Sequence, residues 1–178
     1  MPMAAITIAH TAHLDAATLA VAETLLRGAF LQFGDEDWEH ALGGMHALVH
    51  DGGELVAHGS VVQRRFLHDG RAWRTGYVEA VGVAAGVRRR GHGAAVMGAL
   101  QAVIRGAYEL GALSATDDGW PLYRSLGWQL WQGPVSGLTP TGTVRTPDED
   151  GAVFVLPVTA QLDLAGELSC DWRDGPLW

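Results

Sequence analysis

The feature that most constrains this chain is the run Arg88-Arg89-Arg90-Gly91-His92-Gly93-Ala94. It is set between an apolar strand-like segment, Tyr77 to Val83, and a segment in which Val96, Leu100, Val103, Ile104 and Ala107 recur on one helical face. A strand that enters a helix through glycines and is followed by a second apolar strand, Leu110 to Ala115, predicts a crossover and so a parallel strand pair. The loop opens the helix, so its backbone N–H groups converge at the positive end of the helix dipole and make a seat for an anion. Gly91 and Gly93 let the chain approach that anion closely, and the three arginines add local positive charge. Glycine pairs also serve tight turns and arginine runs also sit solvated, so the pattern alone is unspecific. Two rival phosphate motifs do not fit: there is no Gly-Lys-Ser/Thr, and the glycine spacing is not that of the dinucleotide fingerprint with its downstream acid. The diphosphate of coenzyme A is the better candidate.

Around this unit the chain reads as short strands with a few helices. After the apolar segment Ile6 to Ala9, Leu14 to Phe30 carries Leu19, Ala22, Leu26 and Phe30 at helical spacing, with Asp15 as a cap. Asp35 to Ala41 reads as a short helix stopped by Leu42-Gly43-Gly44, and the acids Asp35, Glu36, Asp37 and Glu39 suit its N-terminus. Ala47 to His50 and the valine-rich Glu54 to Phe66 form a hairpin about Asp51-Gly52-Gly53, and Asp69-Gly70 is the pair of a tight two-residue turn. Trp120 to Ser125 reads as a short helix ending at Gly127, and Trp128 to Trp131 as a strand. Pro134 to Gly151 reads as a long loop, Val153 to Val158 as a strand, and the rest as an acidic, aromatic tail. The sum is one α+β domain over residues 1–178, with a mixed, mostly antiparallel sheet containing one parallel crossover and flanked by helices.

Twelve Lys and Arg stand against 20 Asp and Glu, a formal charge of -8. That balance argues against nucleic acid and anionic membranes as partners and is compatible with a cationic ligand or simply with solubility. The lone Cys170 has no disulfide partner and no signal-peptide pattern opens the chain, which points to the cytoplasm. No apolar run approaches the ~20 residues that span a bilayer. The eight histidines show no paired ligand spacing such as His-Glu-x-x-His, so no metal is expected and they read as structural or surface residues.

A strand, then Arg88-x-x-Gly91-x-Gly93, then a long helix resembles the GCN5-related N-acetyltransferase (GNAT) superfamily. The likeness narrows with Asp37-Trp38-Glu39-His40, Leu42-Gly43-Gly44-Met45-His46-Ala47, Gly76-Tyr77-Val78-Glu79, Gly106-Ala107-Tyr108-Glu109-Leu110-Gly111, Arg145-Thr146-Pro147-Asp148 and Cys170-Asp171-Trp172-Arg173, with Trp178 last. These segments, in order over nearly the whole chain, are similar to the aminoglycoside 2'-N-acetyltransferases.

The resemblance implies a GNAT fold with acetyl-coenzyme A in the splay between the two central parallel strands. It also implies direct transfer of acetyl to the 2'-amine of an aminoglycoside, giving resistance, with coenzyme A as product and no acyl-enzyme. Cys170 is then not a nucleophile. By the same resemblance Glu79 accepts the amine proton, through water, and Tyr123 protonates the departing thiolate. Val81, Val83, Arg88, Arg89, Gly91, His92, Gly93, Ala94 and Ser114 bind the coenzyme, with an N–H near Val81 polarising the acetyl carbonyl. The chemistry is consistent: an ammonium must lose a proton before it attacks, and a phenol titrates near a leaving thiol. Without the resemblance, Glu79 reads as an ordinary strand acid and Tyr123 as a core aromatic.

A polycationic acceptor calls for carboxylates, and the resemblance assigns Asp37, Glu79, Glu149 and the terminal carboxylate of Trp178 to it. Gln32 and Pro176 depart from the family pattern at positions where acids are common, which removes negative charge from the acceptor side. One alternative is therefore another cationic amine as acceptor, such as a polyamine, an amino sugar or a peptide. A second is a non-catalytic module that binds acetyl-coenzyme A or the drug. Exposed sheet edges and the family together imply a homodimer.

Overall fold

The structure, a computed structural model, describes residues 4–178. Among the described residues, ten strands and four α-helices make up an α+β architecture whose mixed sheet does not close on itself. The chain divides into two compact units, with two long strands and one helix running through both.

The first unit comprises residues 4–62 and 78–103. It contains β1 (Ala5–His10), α1 (Ala16–Ala29), α2 (Asp35–Ala41), β2 (Met45–Asp51), the first part of β3 (Glu54–His68), the end of β4 (Arg71–Val83) and most of α3 (His92–Ala107). Both expected early helices form, for local reasons. The Asp15 carboxylate accepts the Thr18 N–H at 2.7 Å and caps α1, and Asp37 accepts the Gly34 N–H at 2.7 Å at the start of α2. β1 pairs antiparallel with β2, and β2 antiparallel with β3 through a turn in which Gly52 and Gly53 take φ of 61° and 88°. α3 lies close over β3 at Gly59, where an added Cβ would come within 2.6 Å of Val96 Cγ1. Val96 and Leu100 are fully buried, so nothing nearby can yield cheaply. Gly59→Ala is expected to lower stability by about 1–3 kcal/mol in urea denaturation.

The second unit comprises Gln63–Tyr77 and Ile104–Trp178. Its strand order is β6 (Gln129–Leu130), β9 (Val153–Pro157), β5 (Leu110–Ser114), β4, β3, β10 (Leu168–Cys170), β7 (Val135–Thr139) and β8 (Gly142–Arg145), and α4 spans Trp120–Ser125. The turn joining β3 to β4 has Asp69 at φ 50° and Gly70 at φ 73°, the double left-handed turn that the Asp-Gly pair predicts. β4 and β5 are parallel, paired only over Thr75–Tyr77 and Leu110–Ala112 although both strands run on. The core gathers Phe66, Tyr77, Leu113, Trp131 and Phe154.

Two expectations from sequence are corrected here. Pro134 to Gly151 is not a loop, because it holds the hairpin β7–β8, and the tail contributes β10, which lies parallel to β7 and antiparallel to β3. The sheet thus has two parallel pairings rather than one. β8 is exposed at every position and β10 is three residues long, so neither shows the alternation by which a strand is read locally.

Candidate active site

In the first unit, β4 ends at Val83, and the chain makes a single 3-10 turn over Ala85–Val87 before α3 begins at His92. Arg89 (φ 65°) and Gly91 (φ 87°) are left-handed. Alternating backbone hand turns successive N–H groups toward one point, and the first-turn N–H groups of a helix have no acceptor within it. This concavity at the N-terminus of a 16-residue helix, flanked by the exposed Arg89 and Arg90, fits a diphosphate. Gly93 and Ala94 lie in the first turn of α3. Arg88 points elsewhere: its Nη2 donates to the Ala29 carbonyl at 2.8 Å and its Nε to the Val83 carbonyl at 3.2 Å. It thereby ties the negative end of α1 to the end of β4. The His92 ring is buried, with Nε2 unbonded and 3.9 Å from Asp51 Oδ2, so this residue presents its backbone rather than its ring to the loop.

Glu79 is half-buried on β4, next to a residue of unusual conformation. Ala80 has φ 50°, a left-handed alanine inside a strand, which costs about 1–3 kcal/mol. Its carbonyl accepts His58 Nδ1 at 3.0 Å. Behind it, His58 Nε2 lies 2.8 Å from His46 Nδ1, and His46 Nε2 lies 2.7 Å from Thr11 Oγ1. Val81 packs over Gly59 beside Val96 and Leu100, and Val83 closes the strand.

Both histidines are fully buried. Burial holds His58 down to about 4; His46 is also held at about 4, by burial and then by its neighbours His58 and His10. An unfolded histidine titrates near 6.5, so between these values the unfolded chain binds more protons than the folded one. Stability is therefore complete above about pH 6.5 and lost as pH falls toward 4, by roughly 3 kcal/mol for His58 alone. Melting temperatures measured across that window check this, and His58→Asn should flatten the slope.

In the second unit, Tyr123 on α4 stands between Trp128 and Phe154, its ring centroid 6.4 and 6.0 Å from theirs. Burial pushes its phenol up to about 12, so it stays protonated. Ser114, at the end of β5, donates to Glu149 Oε2 at 2.7 Å and so orients that half-buried carboxylate. The Trp178 ring is 9% exposed, packs edge-on against Phe66 and donates from Nε1 to Thr146 Oγ1 at 2.8 Å. The last segment is anchored by the buried Arg64, whose Nε donates to Asp171 Oδ1 and Nη1 to the Leu177 carbonyl, each at 2.7 Å. Cys170 is buried, and burial pushes its thiol up to about 11, which leaves it unreactive.

Of the residues singled out from sequence, Asp37, Glu79, Val81, Val83 and the loop 88–94 lie in the first unit, and Ser114, Tyr123, Glu149 and Trp178 in the second. Sequence alone does not single out Thr11, Ala80 or Arg64, and it marks His46 and His58 only as structural or surface histidines, with His46 also part of the 42–47 segment. The hairpin about Gly52-Gly53 carried a usable signal, since its register sets His46 opposite Ser60, two residues along the strand from His58 and so on the same face. Nothing local marks Ala80. Among the described residues, no group of three or more His, Cys, Asp or Glu could hold a metal ion, and no helix is long and apolar enough to cross a membrane.

Residues 17–131 match the family profile described as "Acetyltransferase (GNAT) domain". Over 176 residues, 96% of this chain and 90% of the other, the sequence is 51% identical to the aminoglycoside 2'-N-acetyltransferase of Mycolicibacterium fortuitum. The chain belongs to the aminoglycoside 2'-N-acetyltransferase family of GNAT acetyltransferases. Solved structures carry the same fold at low identity. A GNAT acetyltransferase from Brucella melitensis in complex with acetyl-CoA is 14% identical, with a TM-score of 0.61 over 92% of this chain and 94% of that one. Eis1 from Mycobacterium abscessus is 20% identical, with a TM-score of 0.61 over 75% of this chain, which spans only 33% of that longer protein.

Proposed function

We propose that the whole chain is one acetyltransferase domain that moves the acetyl group of acetyl-CoA to the 2'-amine of an aminoglycoside, by direct attack while both substrates are bound. The observation that carries this reading is the 51% identity over 96% of the chain, since a shared fold alone would leave the acceptor open. Bound acetyl-CoA supplies the activated acyl group. The left-handed loop and the first turn of α3, with Arg89, Arg90 and the backbone of Gly91, His92, Gly93 and Ala94, hold the diphosphate. Arg88 supports the loop from α1. The β4 backbone at Val81 and Val83 takes the pantetheine arm as an added strand, and the Val81 N–H donates to the acetyl carbonyl where negative charge develops.

Glu79 takes the proton of the substrate ammonium through water, leaving an amine lone pair to attack. Tyr123, desolvated and protonated, donates a hydrogen bond to the departing sulfur. Its value of about 12 lies above the ~8.5 of an ordinary thiol, so stabilising the thiolate is a more natural role for it than full proton transfer. Asp37, Glu149 and the terminal carboxylate of Trp178 meet the cationic acceptor, with Ser114 setting the Glu149 carboxylate. The enzyme acts in the cytoplasm as a homodimer.

The test follows release of coenzyme A thiol with kanamycin B, which has a 2'-amine, and kanamycin A, which has a 2'-hydroxyl. Rapid release with kanamycin B alone is expected. Release with neither, in protein that binds acetyl-CoA, would send the search to other amines.

A further inference from the structure

The first unit contains a line of polar groups that the reaction as described does not use: the half-buried Thr11 and the buried His46 and His58, ending on the Ala80 carbonyl. Its protonation pattern follows from its two ends. A carbonyl can only accept, so His58 carries its proton on Nδ1. A neutral His58 then accepts at Nε2, so His46 also carries its proton on Nδ1 and accepts at Nε2. The Thr11 hydroxyl accepts the Gly43 N–H at 2.9 Å and has one proton to give. His46, at 2.7 Å, takes it in preference to the Gly44 carbonyl at 3.3 Å. Each bond dictates the next, and all of them point toward β4. An imidazolium at His58 would set its Nε2–H against the His46 Nδ1–H across 2.8 Å, and one at His46 would add an Nε2–H facing Thr11 Oγ1 and turn the hydroxyl proton away to the Gly44 carbonyl; the low proton affinity of both rings keeps the chain neutral.

The end of this chain falls on a consequential atom. The Ala80 carbonyl and the Val81 N–H belong to one trans peptide plane, in which the two bonds point in opposite directions. Because Ala80 is left-handed, its carbonyl leaves the regular strand direction and needs an acceptor's partner outside the ladder, which His58 supplies. Whatever fixes the carbonyl therefore aims the N–H.

We propose that His58, held in one tautomer by His46 and Thr11, is a positioning residue that aims the Val81 N–H by gripping the Ala80 carbonyl of the same peptide. This rests on the reading that the Val81 N–H polarises the acetyl carbonyl. Asparagine at position 58 keeps a donor where Nδ1 stands, whereas glutamine fills more of the imidazole volume but moves its donor out to the place of Nε2. A positioning role ranks Asn above Gln, and a space-filling role ranks Gln at or above Asn.

The experiment records the infrared carbonyl band of acetyl-CoA labelled with 13C at the acetyl carbonyl, bound to wild type, His58→Asn and His58→Gln, alongside kcat and acetyl-CoA affinity. In wild type the band moves to lower frequency than in free acetyl-CoA. His58→Asn keeps most of that shift and a rate within ~3-fold. His58→Gln loses the shift and ~10-fold or more in kcat at little-changed affinity. A wild-type band no different from that of free acetyl-CoA defeats the Val81 reading itself. A shifted band that His58→Gln leaves in place, or a Gln variant as good as Asn, defeats the role of His58 alone. If a variant fails to fold, 15N NMR of the wild-type imidazoles still decides: both rings are expected neutral and protonated on Nδ1, and an Nε2–H tautomer or an imidazolium at neutral pH in either overturns the proposal.

Discussion

Glu79→Gln is expected to lower kcat by about 10²-fold or more while acetyl-CoA affinity stays within a few-fold. The carboxamide preserves the size of the side chain and its place on β4, and it removes the capacity to take a proton. An aminoglycoside amine arrives as an ammonium with no lone pair to attack, so the deficit should appear in turnover. The coenzyme contacts assigned to the 88–94 loop and to the Val81 and Val83 backbone should be untouched. Steady-state thiol release gives kcat, and calorimetric titration with acetyl-CoA gives the affinity. A variant that turns over like wild type would remove Glu79 as the base and leave the fold and the coenzyme assignment standing. Equal losses in turnover and coenzyme affinity would instead mark Glu79 as a support of the strand.

The largest expected effect on stability comes from Gly133→Ala, at about 3 kcal/mol or more. An added Cβ would lie 1.9 Å from the Gly166 carbonyl oxygen and 2.5 Å from that of Ala165, both backbone atoms that cannot turn aside. The same segment receives the N–H groups of Gln132 and Gly133 at the Leu164 carbonyl, each at 2.9 Å, and the Trp131 indole at the Gly166 carbonyl at 3.0 Å. Displacing residues 164–166 therefore breaks several bonds together and disturbs His68, which packs against Gly166 and hydrogen-bonds the Glu167 carbonyl at 2.8 Å. Gly98→Ala is the natural contrast. Gly98 sits exposed within α3 with nothing inside 4 Å of its missing Cβ, so alanine there should stabilise by about 0.5–1 kcal/mol. Urea denaturation of the pair should move in opposite directions, and a Gly133→Ala variant as stable as wild type would show that the 164–166 segment gives way freely.

The carboxylates and the glycine loop were legible because their surroundings were local. Asp37 stands three residues into a capped helix, and Gly91 and Gly93 stand where a strand becomes a helix. The partners of these groups were less legible. Arg88 belongs to the loop by sequence, yet its guanidinium spans 59 positions to the Ala29 carbonyl. Ser114 resembles a coenzyme contact by family, yet its hydroxyl is given to Glu149, 35 positions away.

By itself the sequence determined α1, α2, α3 and α4, the hairpin turns at Gly52-Gly53 and Asp69-Gly70, and the strand-loop-helix unit. Each rests on interactions within a few residues: an i to i+4 apolar face, a cap three positions away, or a glycine whose backbone is free to turn left-handed. Only the tertiary structure decided β7, β8 and β10, the left-handed Ala80, and the line from Thr11 through two histidines. β10 exists because it finds edges to pair with on both sides and because Asp171 meets Arg64, 107 positions away in the chain. Ala80 tolerates its strained backbone because His58, on a neighbouring strand, bonds the carbonyl that the strain turns out. Such features draw their free energy from groups brought together only when the chain is folded, and no local pattern of residues records them.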